Sequence, residues 1–212
     1  VALNIAGETT LAAGSSNNIT LGNTSNNFQD KVKIITGSSS GGNNVTLVDA
    51  GDIDLGASIV SGTYHVTAIS GDITDSGTLT ITGASIFTTK VGGSNIVLDS
   101  SGNAFAAAVT MKADTGGDET FGNITFVDSA AVKLHSSAGT NGDLFIDAGT
   151  DLAVGGNLSI TATTGNITQG SEVAVTGTTT LVTSANDATI TLNDADNAFT
   201  GALTITTNDN SG

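Results

Sequence analysis

Apolar residues recur at every second position in short runs along the chain: Ile19 and Leu21, Val45 and Leu47, Ile53 and Leu55, Leu79 and Ile81, Ile96 and Leu98, Ile190 and Leu192. A period of two places successive side chains on opposite sides of an extended backbone, so each run predicts a strand with one buried face. One to four turn-forming residues, drawn from Gly, Asn, Asp and Ser, separate the runs. No stretch keeps an i, i+3, i+4 apolar stripe free of Gly, Asn or Thr, so essentially no helix is expected. Two all-β arrangements fit this pattern, an antiparallel sandwich of hairpins or parallel strands stacked by coiling.

Internal repetition favours coiling. Residues 18–28, 95–105 and 189–199 share one form, a strand pair, a polar turn and Asn-x-Phe, and an alternating strand follows each of them. The phenylalanines are spaced 105 − 28 = 77 and 199 − 105 = 94 residues apart. Residues 45–49 match 124–128 at an offset of 79, while residues 71–83 match 165–177 at an offset of 94. The copies therefore differ by 94 − 79 = 15 residues, a block near Gly142 to Gly156 that reads as about one extra coil. A solenoid accepts an added coil because each coil touches only its neighbours.

The chain then divides into the tail of a preceding copy (1–17), copy one (18–94), copy two with about one extra rung (95–188) and the start of a third copy (189–212). At about 15 to 20 residues per coil, a right-handed parallel β-helix of about eleven rungs and roughly 50 Å is expected. Like residues would stack over like, putting Phe28, Phe105 and Phe199 at one shared corner. Asn26, Asn103 and Asn197 would be turn amides bonded to the backbone of a neighbouring coil.

Composition changes the picture in several respects. Of 212 residues 38% are hydrophobic, enough for a thin continuous core and too many for a disordered chain. Proline, which cannot donate to a strand ladder, is absent. Five Lys, no Arg and twenty acidic residues give a formal net charge of −15, which argues against nucleic acid or an anionic membrane surface as partner. Cysteine is absent, so neither disulfides nor thiol chemistry contributes, and no apolar run is long enough to span a membrane.

Residues 165–169, 175–181 and 190–205 resemble the repeats of filamentous-haemagglutinin-like proteins, large β-helical exoproteins of Gram-negative bacteria. The resemblance implies a secreted or cell-surface fibre acting in adhesion, aggregation or biofilm matrix. It also implies an outer-membrane secretion partner and a surface glycan or protein receptor. Self-association end to end or side by side into filaments goes with that expectation.

Chemistry-bearing residues are sparse. Asp52 with Asp54 and Asp194 with Asp196 are i, i+2 carboxylate pairs in or beside predicted turns. Such pairs suit glycoside hydrolysis or, better, a calcium ion held by clustered oxygens. Gly116 to Glu119 is a single poor echo of a calcium-binding solenoid repeat. His65 and His135 stand alone, Tyr64 reads as a packing residue, and the lysines (31, 33, 90, 112 and 133) are scattered. Thr80 and Thr82, Thr178 and Thr180, and Thr204 and Thr206 are Thr-x-Thr pairs that do not recur once per rung. The expectation is a non-enzymatic structural or adhesive fibre with no cofactor. A glycan-binding or glycan-cleaving β-helix is the alternative, and functional amyloid a further one.

Overall fold

The structure, a computed structural model, describes residues 1–37, 43–113, 122–135, 143–146 and 152–208. Among them every strand pairing is parallel and there is no helix. The chain is a parallel β-solenoid with three strands per coil.

The first coil holds β1 (Asn4–Ile5), β2 (Thr9–Ala13) and β3 (Ile19–Leu21), and the second β4 (Asn27–Phe28), β5 (Val32–Thr36) and β6 (Val45–Asp49). The third holds β7 (Ile53–Leu55), β8 (Ser58–Val60) and β9 (Tyr64–Ala68), and the fourth β10 (Ile73–Asp75), β11 (Leu79–Ile81) and β12 (Ser85–Thr89). The fifth holds β13 (Ile96–Leu98), β14 (Ala104–Phe105) and β15 (Val109–Lys112). Next come β16 (Ile124–Asp128), β17 (Val132–His135), β18 (Asp143–Ile146) and β19 (Leu152–Val154), then β20 (Leu158–Ala162), β21 (Ile167–Gln169) and β22 (Val173–Val175). The eighth coil contains β23 (Thr179–Asn186), a single bridge from Ile190 to Ile167 and β24 (Ala198–Phe199), and β25 (Leu203–Asn208) opens a ninth.

About eight turns therefore replace the expected eleven. The coils are longer than assumed because the corners take more residues. Val45 pairs with Tyr64, an offset of 19, but Ile19 pairs with Val45 at 26 and Ile124 with Leu158 at 34. At about 4.8 Å per coil the stack is about 40 Å long. The 15-residue length difference between the copies coincides with β18. This strand pairs with both β15 and β17, whereas β16 and β20 pair directly across the same interval.

The sequence repeat and the coil are out of phase. Copy one runs from β3 to β12, ten strands, and ten is three coils plus one strand. Hence β13, the counterpart of β3, pairs with β10 and β16, while the ladder of β3 continues through β6, β9, β12 and β15. Phe28, Phe105 and Phe199 consequently do not share a corner. They lie in three separate ladders, opposite Ile5, Ile81 and Val175.

The core is a thin column filled by the inward residue of each alternation. In β9, Tyr64, Val66 and Ala68 are buried and His65 and Thr67 half-exposed. Leu47, Ile73, Ile96 and Leu98 are fully buried, each worth roughly 1.5–3 kcal/mol relative to exposure. Four aromatic rings climb through consecutive coils. Tyr64 meets Phe87 edge-on at 5.8 Å, Phe87 meets Phe105 edge-on at 6.2 Å, and Phe105 meets Phe126 at 5.2 Å. Such contacts add about 0.5–1.5 kcal/mol per pair beyond area burial.

Candidate functional site

Two kinds of corner carry the polar groups that the coils share. At the first, a small residue followed by an Asx or Thr heads successive strands: Gly51-Asp52, Gly71-Asp72, Ser94-Asn95, Gly122-Asn123, Gly156-Asn157 and Gly177-Thr178. Each side-chain Oδ1 accepts the backbone N–H of its counterpart one coil on. Asp52 takes Asp72 N at 2.8 Å, Asp72 takes Asn95 N at 2.7 Å and Asn95 takes Asn123 N at 2.9 Å. Asn123 then takes Asn157 N at 2.9 Å and Asn157 takes Thr178 N at 2.7 Å. This ladder satisfies turn N–H groups that no strand pairing reaches. At Gly177 the preceding glycine is required by close approach, since a Cβ there would sit 2.5 Å from the carbonyl oxygen of Gly156. Shorter columns of the same kind run from Asn18 to Asn44 to Thr63 and from Asn166 to Thr189.

The second corner holds the repeated Asn-x-Phe. Oδ1 of Asn26, Asn103 and Asn197 accepts the N–H of Leu3 (3.0 Å), Leu79 (2.8 Å) and Val173 (2.9 Å) respectively, one coil back. Asn26 and Asn103 are fully buried, whereas Asn197 is partly exposed. At two of these corners a buried aspartate about one turn further along the chain closes the bend. Asp49 accepts Phe28 N at 2.7 Å and Gly51 N at 2.7 Å, and Asp128 accepts Phe105 N at 3.4 Å and Ala130 N at 3.2 Å. Asn103 Nδ2 also donates to Asp75 Oδ2 at 2.7 Å. Burial pushes the carboxyls of Asp75 and Asp128 above the usual range, against the lowering effect of the N–H groups they accept.

The family described as repeats of unknown function (DUF5649) matches residues 1–35, 42–112 and 120–206. The chain belongs to this family. No curated protein and no solved structure matches it. The two longer family segments take in β6 to β15 and β16 to β25, ten strands each; the second gains β18, while the counterpart of β13 shrinks to the single bridge at Ile190. Both corner devices recur in both units of the DUF5649 repeat.

The carboxylate pairs marked in the sequence serve these corners. Asp52 and Asp54 flank the buried Ile53 and each accepts one backbone N–H from the next coil, Asp54 from Ser76 at 2.8 Å. With Asp30, Phe28, Gln29 and Thr74 they line a shallow hollow of about 130 Å³. Asp194 accepts the N–H of Asp196 at 3.0 Å within its own turn, and its own N–H goes to Gln169 at 3.2 Å. No group of three or more metal-ligating side chains occurs among the described residues, and Gly116 to Glu119 lies outside them. His65 is half-exposed and in register with Thr46 and Ile86, and His135 ends β17. Tyr64 is wholly buried and burial raises its hydroxyl pKa, as befits a core residue.

Lys31 and Lys33 reach Glu8 at 3.5 and 2.8 Å. Thr80 lies between Ile59 and Ala104, so its Thr-x-Thr pair stands alone. Thr180 and Thr204 join Thr125 and Ser159 in one column of outward hydroxyls four coils high. The ladder asparagines and the clamp residues Asp49 and Asp128 escaped the sequence reading. The ladder's signal was there, as an Asn or Asp directly before the inward Ile, Leu or Val of many strands, but its spacing is irregular; Asp49 and Asp128 instead end their strands, each after a Val.

Proposed function

We propose that this chain is a shaft segment of an extracellular structural or adhesive protein of the filamentous-haemagglutinin kind, displayed at a Gram-negative bacterial surface. The observation that carries this reading is the run of parallel ladders through about eight coils, closed at its corners by side chains that bond from coil to coil. Such a stack gives length and resistance to proteolysis, because each backbone ladder is covered by its neighbour. The outer side carries columns of short polar side chains such as Thr125, Ser159, Thr180 and Thr204, suited to packing against other shafts or a surface. Export through an outer-membrane partner and a glycan or protein receptor belong to the same reading.

A glycan-cleaving β-helix is favoured less. The apolar groove formed by Thr80, Thr82, Ala104, Phe105, Ala106 and Asp128 holds about 240 Å³, but Phe105 is 4% exposed and offers a sugar no ring to stack on. Asp128 in that groove is already engaged by two backbone N–H groups.

Electron microscopy of the native material tests the proposal. Uniform fibres with an axial repeat near 4.8 Å support it. Short isolated rods that neither associate nor adhere to cells would overturn it.

A further inference from the structure

The coil-to-coil ladder leaves a particular nitrogen free. Asn18, Asn44, Asn157 and Asn166 each offer Oδ1 to the next coil, at 2.9, 2.9, 2.7 and 2.8 Å. Their Nδ2 atoms have no partner among the described residues, and all four side chains are exposed. Asn123 differs, since its Nδ2 donates to Asn95 Oδ1 at 2.9 Å.

Each of the four free amides opens an Asn-x-Ser/Thr triplet: Asn18-Ile-Thr20, Asn44-Val-Thr46, Asn157-Leu-Ser159 and Asn166-Ile-Thr168. That triplet is the acceptor pattern for N-linked sugars. In a chain this rich in Asn, Ser and Thr the triplet recurs by composition alone, so the sequence by itself decides nothing. The geometry adds two things. The middle residue points into the core, with Val45, Leu158 and Ile167 at most 1% exposed, which puts the amide and the hydroxyl on the same outer side. The ladder also uses only the oxygen, so substitution at the nitrogen costs the fold no hydrogen bond.

We propose that Asn18, Asn44, Asn157 and Asn166 are acceptor sites for N-linked sugars. The donor is a sugar activated through an anomeric phosphate. The bond from Nδ2 to the anomeric carbon forms as that carbon's bond to phosphate oxygen breaks. The phosphate leaves with the electron pair, and the amide loses one proton to the transferase. The modified amide keeps Oδ1 for the ladder and one N–H. The sugars would stand along the shaft and shield its outer side. This inference rests on the ladder, and it stands whether or not the shafts assemble into fibres.

The test is peptide mapping by mass spectrometry, with electron-transfer fragmentation, of the chain isolated from the cells that make it. Sugar mass is expected on the peptides holding Asn18, Asn44, Asn157 and Asn166, with Asn123 bare. A single hexose would identify a nucleotide-activated donor and a preassembled oligosaccharide a lipid-linked one, and either supports the assignment. Bare asparagines at all four positions overturn it. Equal occupancy at Asn123 also overturns it, because the ladder would then have no part in the choice. In the same cells Asn157→Asp keeps the acceptor oxygen and removes the nitrogen, so its peptide must lose the sugar while the melting temperature stays unchanged.

Discussion

Apart from the added β18 and the single bridge at Ile190, the unit from β6 to β15 and the unit from β16 to β25 follow the same order of strands, yet the second does not lie above the first in register. In the first unit β13 stacks on β10, whereas its counterpart β3 belongs to the ladder of β6 and β9. A period of ten strands wound on a coil of three moves each strand type to the next side of the shaft. Like residues therefore cannot stack on like over the whole length. Thr74 lies beside Val97, and Ile59 beside Thr80. What must match from coil to coil is only an inward aliphatic residue and a corner that can close. The core tolerates this because Ile, Leu and Val exchange at modest cost when volume is kept. The corners tolerate far less.

The close-packed glycines offer the sharpest way to break that comparison. In Gly177→Val the added carbon meets the Gly156 carbonyl at 2.5 Å, and in Gly83→Val its counterpart meets Thr63 N at 2.8 Å. Both contacts are with backbone, which cannot swing aside. Each variant is expected to lose about 3 kcal/mol or more, read from urea midpoints. Gly22→Ala, with no atom within 4 Å of the new carbon, is expected to stay within about 0.5 kcal/mol. If only one of the two valine variants were destabilised, the units would not share a corner.

A smaller effect separates the two Asn-x-Phe clamps. Asp49 holds both its N–H groups at 2.7 Å, whereas Asp128 holds its pair at 3.4 and 3.2 Å. Removing the acceptor strands buried donors, which costs about 1–3 kcal/mol. Asp49→Ala is expected near the top of that range and Asp128→Ala near the bottom. Equal losses would mean that the longer bonds in the second unit are no weaker.

These corners also mark how far the sequence could be read. Strand positions were plain in it because inward aliphatic residues alternate wherever a coil face is flat, as at Ile53 and Leu55 or Ile96 and Leu98. The parallel solenoid followed from the repeats. The number of turns did not, because the visible period is the ten-strand unit and coil length varies between pairings. The ladder was hidden for the same reason, since Asp52, Asp72, Asn95, Asn123 and Asn157 have no constant spacing. The string of Tyr64, Phe87, Phe105 and Phe126 draws on strands of different type, so comparing copies could not reveal it.

Acidity acts on both units through Asp75 and Asp128. Burial raises the folded pKa of both carboxyls, so the folded chain holds these protons more tightly than the unfolded one. Their contribution to stability is then full below the ordinary carboxyl value of about 4 and is lost as pH rises through the raised folded values. The melting temperature is expected to climb as pH falls from neutrality, and relief of the net charge of −15 acts in the same direction. The variants Asp75→Asn and Asp128→Asn isolate the local part. Each should flatten the pH profile, one through the first unit and one through the second, and an unchanged slope in both would assign the whole effect to net charge.

The smallest effect is expected at Glu8, where Lys33 and then Lys31 hold the carboxyl below its ordinary value. The sign is opposite to that at the buried acids. A lowered folded pKa contributes stability above the unfolded value and loses it as pH falls through the folded one. This group is exposed, so water and salt screen the pair, and such contacts add little. Glu8→Gln should leave the urea midpoint unmoved at moderate salt and shift it slightly at low salt. A large loss would show that the cluster of Glu8, Lys31 and Lys33 holds the first two coils together, and with it that an outer face can constrain the stack as strongly as a corner does.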